Sequence, residues 1–221
     1  MHLYFVRHGE TLLNAKGVYY GATDTPLNAR GAAQAAAVGQ RLSGISWDKV
    51  YISNKLRTRQ TAQAIVGDAL MPRLNEVPAL AELDFGQWEG LDHGAVCRQF
   101  PEDYKRWCDD WLGAAPTGGE NFYEFWARVK TAFERIVEEC LGGSALPDFE
   151  AETAAHRDKN ILICAHNGTL RVIFAVMCGL GPEGTWHFNF EQDTWSRADY
   201  EYGNFTIRKV NTSEPFDARL K

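Results

Sequence analysis

The stretch LYFVRHGET, residues 3–11, is an apolar run followed by an arginine, a histidine and a glutamate. Its apolar part, residues 3–6, predicts a buried strand of a parallel sheet, because such strands are covered on both faces and are hydrophobic throughout. Ligands of parallel α/β sheets bind at the carboxyl ends of the strands. Arg7 and His8 therefore lie where a functional site is expected.

Two further apolar runs, residues 49–53 and 160–165, predict two more buried strands. Helical patterns accompany them. Residues 28–43 are rich in alanine, residues 55–70 follow the second run directly, and residues 120–141 carry apolar side chains at spacings of three and four. This alternation of strands and helices predicts a layered α/β fold.

The 221 residues are expected to form a single domain, 1–221, because the sequence shows no internal repeat and no linker between two cores. About residues 84–117 are predicted to leave the sheet as an excursion. About residues 142–159 are predicted to form a polar surface loop, which is unusually long for a compact domain. The turn sequence Tyr202-Gly203-Asn204 predicts a hairpin close to the end of the chain.

The composition argues against several classes of partner. Lysine and arginine number 23 and aspartate and glutamate 29, so the formal net charge is −6, whereas a nucleic-acid partner would require a basic surface. The N-terminus lacks a signal-peptide pattern, and no window is long and apolar enough to span a membrane. We therefore expect a cytoplasmic protein with no nucleic-acid partner and no membrane partner.

Three predicted strand ends each deliver an arginine or a histidine. Arg7 and His8 end the first strand, Arg57 opens the helix after the second, and His166 follows the late strand. A segment with acidic groups begins at Glu82, between the second predicted strand and the late one. One arginine-histidine pair alone is explained by solvation at a strand end, but convergence at a common sheet edge favours a shared site.

The motifs together resemble the histidine phosphatase superfamily over essentially the whole chain. The matching positions are Arg7 to Thr11, Asn14, Thr25-Pro26-Leu27, Gly31, Gln34-Ala35, Ser53, Arg57, Thr61-Ala62, Glu82, Phe85-Gly86, Glu89-Gly90 and His166-Asn167-Gly168. Each motif is weak alone, and the combination is highly specific. The resemblance implies a phosphoglycerate mutase-like fold, which is a three-layer α/β/α sandwich on a mostly parallel sheet.

The resemblance assigns a catalytic role to five residues, and the chemistry requires each of these roles. His8 would attack phosphorus as a neutral nucleophile and form a phosphohistidine. Arg7, Arg57 and His166 would surround the transferring phosphoryl oxygens, because charge stabilisation dominates phosphoryl transfer. Glu82 would protonate the leaving alkoxide and then activate water.

Further donors and alternative acids complete the implied site. The side chain of Asn14 and the backbone amide of Asn167, at a helix start, would bind substrate oxygens. Asp84 or Glu89 could be confused with Glu82 as the acid, although the family pattern favours Glu82. No cofactor is expected and no metal, because the cationic side chains take the place of magnesium and the sequence lacks a metal-ligand cluster.

The expected substrate is a phosphorylated small molecule. The sequence Phe85-Gly86-Gln87-Trp88 is similar to the phosphatase branch, and the late Trp186-His187-Phe188 and Trp195-Ser196 resemble the α-ribazole phosphatases, which hydrolyse a benzimidazole nucleotide. A broad-specificity sugar or nucleotide phosphatase, a phosphoglycerate mutase and a noncatalytic phosphate-binding module are the alternatives. The oligomeric state stays open, with a homodimer as one alternative.

The aromatic residues Tyr104, Trp107 and Trp111 are spaced by three and four and are predicted to share one helical face. Such a face could stack on a flat benzimidazole ring. The alternative is that these rings pack the excursion onto the sheet, since aromatic stripes usually face a core.

Overall fold

A computed structural model describes residues 1–142 and 158–217. Its sheet has six strands in the order β3-β2-β4-β1-β5-β6, of which β1 to β4 are parallel and β5 and β6 antiparallel. The strands are β1 His2–Arg7, β2 Lys49–Ile52, β3 Leu74–Glu76, β4 Asn160–Ala165, β5 Trp195–Glu201 and β6 Asn204–Thr212. The predicted α/β fold on a mostly parallel sheet is confirmed.

Helices cover both faces of this sheet. In the described ranges the α-helices are α1 Leu12–Lys16, α2 Ala29–Arg41, α3 Leu56–Val66, α4 His93–Gln99, α5 Pro101–Asp109, α6 Phe122–Cys140 and α7 Asn167–Met177. Side chains of β4 alternate between two cores: Ile161 and Ile163 pack in the core of α6 and α7, and Leu162 and Cys164 in that of α2 and α3. Successive strand residues face opposite sides, so one strand serves both layers.

Two elements differ from the sequence-based expectation. The helix predicted over 55–70 ends at Val66, because Gly67 adopts a positive φ of 73° and a 3-10 segment, Asp68–Arg73, follows. The short strand β3 was not predicted. It has only three residues, two of them polar, and therefore lacks an apolar run.

The hairpin and the excursion follow the sequence pattern. Strands β5 and β6 meet at Tyr202 and Gly203, whose φ values of 52° and 77° suit a two-residue hairpin turn. The excursion contains α4 and α5, and the fully buried Trp88 packs against its Trp107. Most of the predicted polar loop, residues 143–157, lies outside the described residues. No helix in the described ranges has the length and apolarity to cross a bilayer.

Candidate active site

One cavity of about 340 Å³ opens beside the carboxyl ends of the central parallel strands. Strand β4 lies between β1 and β2, so the residues that follow these three strands are neighbours in space. The structure places every predicted site residue on the cavity wall: Arg7, His8, Asn14, Arg57, Glu82, His166 and Asn167. Asp84, the alternative acid, does not line it.

His8 is held in one tautomer. Its Nδ1 lies 2.8 Å from the carbonyl oxygen of Gly9, which can only accept, so Nδ1 carries the proton and the neutral ring has a free lone pair at Nε2. Burial, reinforced by the charges of Arg57 and then Arg7, lowers the pKa of His8 well below its ordinary value. The ring is therefore neutral near pH 7 and can act as a nucleophile.

His166 lies against His8, with ring centroids 5.1 Å apart. Arg57 Nε donates to Nδ1 of His166 at 3.3 Å. Because Nδ1 accepts, the other ring nitrogen of His166, Nε2, carries the proton and donates to Ser53 Oγ at 2.8 Å. Burial, the charge of Arg57 and His8 lower the pKa of His166. Both ring nitrogens of His166 have a protein hydrogen-bond partner, and one of these partners is Arg57.

Arg57 is fully buried and anchored by the loop at residues 21–23. Its two terminal nitrogens donate to the carbonyl oxygens of Gly21 and Thr23, each at 2.9 Å. With the bond to His166, three of its five N–H groups are used, and two stay available for an anion. The same guanidinium lies 4.9 Å from the ring centroid of Tyr20.

Glu89 secures that loop. Its carboxylate accepts from the backbone amides of Gly21, Ala22 and Thr23 at 2.8, 2.6 and 2.6 Å. Burial alone would raise the pKa of Glu89, but hydrogen bonds from the Thr23 side chain and from these three amides outweigh it and lower the pKa. Glu89 is therefore a loop anchor behind Arg57 in this structure, and it does not line the cavity.

A short segment, residues 189–192, contacts several site residues at once. The Phe190 carbonyl accepts from Arg7, and its amide donates to the side chain of Asn167. Gln192 donates to Asn14 Oδ1 at 3.1 Å. Arg7 Nε is buried and has no hydrogen-bond partner in the described structure, so this donor is available to a ligand. Sequence reasoning did not identify this segment as a support of the site.

Glu82 is bound to the start of α7. Its Oε2 accepts from the amide of Gly168 at 2.9 Å, and its Oε1 from the amide of Leu83 at 3.0 Å. A Cβ atom at position 168 would overlap Glu82 Oε1, so glycine is required for this contact. Helix α7 has no side-chain cap, and its N-terminal end favours negative charge.

Part of the cavity wall is aromatic. Its rings are Tyr19, Tyr20, Phe85, Trp107, Trp111, Phe122, Phe125 and Trp186. Helix α5 ends at Asp109, so the predicted single helical face through Trp111 is wrong, and Trp111 reaches the cavity from the turn that follows. Tyr104 does not line the cavity and packs on Trp88, while Trp107 does both.

Arg171 also lines the cavity and was not identified from the sequence. The available signal was its place in α7, one helical turn after Asn167, which puts both on one face. Among residues 1–142 and 158–217, no group of three or more His, Cys, Asp or Glu side chains is arranged to hold a metal ion.

Comparisons with known proteins identify the family of this chain. The family model described as histidine phosphatase superfamily (branch 1) matches residues 3–213. The adenosylcobalamin/α-ribazole phosphatase of Escherichia coli K12 is 35% identical over 212 residues, 96% of either chain. The crystal structure of α-ribazole phosphatase from Shigella flexneri is 34% identical, with a TM-score of 0.85, covering 98% of this chain and 99% of that one. Phosphoserine phosphatase 1 of Hydrogenobacter thermophilus is 27% identical over 209 residues, 95% of this chain and 91% of that protein.

Proposed function

The chain belongs to the histidine phosphatase superfamily and is a phosphatase, and from this premise we propose that it hydrolyses α-ribazole 5′-phosphate through a phosphohistidine at His8. The observation that carries the proposal is one cavity whose lining combines arginine and histidine side chains with aromatic rings. The relatives named for α-ribazole phosphatase activity, from Escherichia coli and Shigella flexneri, support this choice of substrate.

The first step transfers the phosphoryl group to His8. The free Nε2 lone pair attacks phosphorus, the bond from phosphorus to the ester oxygen breaks, and protonated Glu82 gives its proton to that oxygen. The products of this step are the free nucleoside and a phosphohistidine. Arg7 and the two remaining N–H groups of Arg57 stabilise the charge on the phosphoryl oxygens.

The second step releases phosphate. Glu82, now a carboxylate, takes a proton from water as the water oxygen attacks phosphorus and the bond from phosphorus to nitrogen breaks. Inorganic phosphate leaves, and His8 returns to its neutral form with Nδ1 still bonded to Gly9. We assign His166 to positioning, since it holds the Nε side of Arg57.

The side chain of Asn14 and the amide of Asn167 are proposed as further donors to substrate oxygens. Asn14 Oδ1 accepts from Tyr20 and Gln192, so its amide nitrogen is the part that can donate outward. Asn167 is the first residue of α7, where backbone N–H groups have no partner within the helix. Both lie on the cavity wall.

The flat base of the nucleotide is proposed to stack on the aromatic wall. Trp107 packs against the buried Trp88, with ring centroids 5.7 Å apart, and Trp111 packs against Phe122 at 4.9 Å. These contacts fix the two indoles before a ligand arrives, so stacking costs little side-chain ordering. A substrate without a ring forgoes this contact.

A phosphate-release screen tests the substrate. It compares α-ribazole 5′-phosphate with mononucleotides, phosphoserine, phosphoglycerates and sugar phosphates, each with and without chelator. We expect the highest kcat/KM for ribazole phosphate and no loss in chelator. A higher value for phosphoserine, or phosphate moved to another carbon of phosphoglycerate, would contradict the proposal.

The variant Glu82→Gln tests the acid and base role. Loss of a general acid typically costs 10²- to 10⁴-fold, and we expect that loss on ribazole phosphate, whose alkoxide is a poor leaving group. p-Nitrophenyl phosphate has a leaving group that needs no proton, so it should still phosphorylate the Glu82→Gln enzyme. With this substrate radiolabelled in its phosphate, the label should accumulate on His8 when the reaction is quenched at neutral pH. His8→Ala is the control that should trap no label.

A further inference from the structure

Arg171 lines the cavity and has a buried donor without a hydrogen-bond partner among the described residues. Its Nε is buried and lacks a hydrogen-bond partner in the described structure, although the side chain lines the cavity. A buried N–H left unpaired costs free energy, so such a donor calls for an explanation. The proposed reaction uses Arg7 and Arg57 and leaves Arg171 without a role.

The side chain of Arg171 is fixed from two sides. One terminal nitrogen donates to Asn189 Oδ1 at 2.8 Å, and the guanidinium carbon lies 5.1 Å from the ring centroid of Trp186. Trp186 in turn contacts Trp111, with centroids 5.5 Å apart. Arg171 therefore borders the aromatic wall, and little ordering is needed for it to meet a ligand.

Its other neighbour is the acid–base side of the cavity. Arg171 lies three residues after Gly168 in α7, on the same helical face, and the amide of Gly168 holds Glu82. Burial lowers the pKa of Arg171, and the carboxylate of Glu82 opposes that lowering. Arg171 thus contacts one ring of the cavity, Trp186, and shares a helical face with the amide that binds Glu82.

We propose that Arg171 determines specificity by donating from Nε to an oxygen of the sugar that joins the phosphate to the base. This inference rests on the proposed function. Along a nucleotide, the sugar lies between the ester oxygen and the flat ring, and Arg171 is linked to both ends of such a ligand, to Trp186 by contact and to Glu82 through the Gly168 amide of α7. Arginine donors suit sugar oxygens, and this one is already oriented by Asn189.

The variants Arg171→Gln and Arg171→Lys test the assignment, with Arg135→Gln, an exposed residue of α6 outside the cavity, as the matched control. The substrates are α-ribazole 5′-phosphate, which carries the sugar, p-nitrophenyl phosphate, which does not, and phosphoserine. For ribazole phosphate we expect kcat/KM to fall about 10- to 100-fold, mostly through KM, as for a lost charge-assisted hydrogen bond. For p-nitrophenyl phosphate the change in kcat/KM should stay within about threefold, because this substrate has no sugar oxygen for Arg171 to bind.

Arg171→Lys should recover only part of the loss, since lysine keeps the charge without the Nε donor. Equal losses of kcat/KM on ribazole phosphate and on p-nitrophenyl phosphate would overturn the assignment and place Arg171 at the phosphoryl group. A loss confined to phosphoserine would overturn it in favour of a carboxylate partner. If wild-type protein fails to hydrolyse ribazole phosphate, the proposed function falls and this assignment with it, whereas normal wild-type turnover with unchanged Arg171→Gln overturns the assignment alone.

Discussion

The carbonyl oxygen of Gly9 determines which nitrogen of His8 can react. It accepts the Nδ1 proton at 2.8 Å and leaves Nε2 with its lone pair. Gly9 itself packs so tightly on the backbone of Gly31 that an added Cβ would overlap it. The orientation of the reactive ring therefore depends on a close backbone approach as well as on the ring's own hydrogen bond.

Gly168→Ala should separate activity from stability. A methyl group there overlaps Glu82 Oε1 and displaces the carboxylate, so we expect kcat to fall about 10- to 100-fold, a part of the loss typical for a general acid. Alanine in a helix is favoured over glycine by up to about 1 kcal/mol, so the melting temperature should not fall in proportion. Phosphate release and thermal unfolding measure the two effects.

The matched control for that variant is Gly94→Ala in α4, where a Cβ atom meets only the far end of the Arg98 side chain and the cap residue Asp92. Its activity should equal that of the wild type. A Gly168→Ala enzyme with wild-type kcat would show that the Gly168 amide does not position the acid.

The neutral histidines predict a dependence of stability on pH. The pKa values of His8 and His166 are lowered in the folded state, so below about pH 6.5 the unfolded chain binds more protons than the folded one. Their contribution is fully present above that pH and is lost as the pH falls, by up to about 1.4 kcal/mol per pH unit for each ring. Urea unfolding at pH 7.5, 6.5 and 5.5 measures the slope.

Replacing either ring should flatten this slope. His8→Gln and His166→Gln remove one titrating group each, while His187→Gln, at an exposed position, serves as the control that keeps the slope. An identical slope in all three variants would mean that other groups set the acid sensitivity. The test uses changes in slope, so differences in absolute stability among the variants do not affect it.

The loop at residues 21–23 links two elements that are far apart in the sequence. Glu89 binds its amides, and its carbonyl groups bind Arg57 at the start of α3. Glu89→Gln replaces the carboxylate by an amide with one acceptor oxygen, so we expect about a 10-fold fall in kcat/KM through a looser Arg57. Initial rates with ribazole phosphate measure it.

Glu76→Gln is the control for the loop variant. Glu76 forms an exposed ion pair with Arg59, which lies on α3 like Arg57 but does not line the cavity. Exposed pairs contribute little, so its rate should stay near that of the wild type. Equal rates for Glu89→Gln and the wild type would remove the link between the loop and Arg57.

The elements that sequence alone predicted are those with a strong local signal. Residues 160–165 matched β4 because the apolar run is continuous, and the helix over 120–141 was recovered as α6 to within two residues at its start and one at its end. Strand β3 was not predicted, because its three residues of mixed polarity show no periodic pattern of hydrophobicity. Trp111 was wrongly assigned to the helix because its spacing from Trp107 continues the helical pattern, whereas the helical hydrogen bonds of α5 end at Asp109.

The sequence predicted which residues form the site, but it did not predict the main cause of the lowered His8 pKa or the segments that support the site. The cavity brings together the seven predicted residues, but their catalytic roles stay predictions. His8 was expected to have a neutral ring, and in the structure burial is the largest cause of its lowered pKa and the charge of Arg57 the next. The supports at Phe190 and Asn189 arise from tertiary packing between distant segments, which no local pattern reports.

The two cores share one sheet across the whole molecule. We expect the chain to unfold as a single domain, in one transition, because every buried apolar residue of β4 belongs to one core or the other. Leu162→Ala and Ile163→Ala, on opposite faces, should each cost about 2 to 5 kcal/mol. Both should shift the same transition in urea, followed by tryptophan fluorescence and by far-UV circular dichroism.

The surface variant Lys130→Ala in α6 is the control, since its partner Glu134 is exposed and the pair is weak. Two separate transitions, one sensitive to Leu162→Ala and the other to Ile163→Ala, would contradict the single-domain expectation. Coincident curves from the two probes would support it.

The partner of Arg7 at Phe190 has a consequence during synthesis of the chain. By residue 90 a ribosome has added Arg7, His8, Arg57 and Glu82 to the chain, yet the strands on either side of β1 are β4 and β5, which begin only at residues 160 and 195. A chain that stops before residue 160 therefore carries these four side chains without the strands that flank β1 and without Phe190. We expect such truncated chains to lack phosphatase activity.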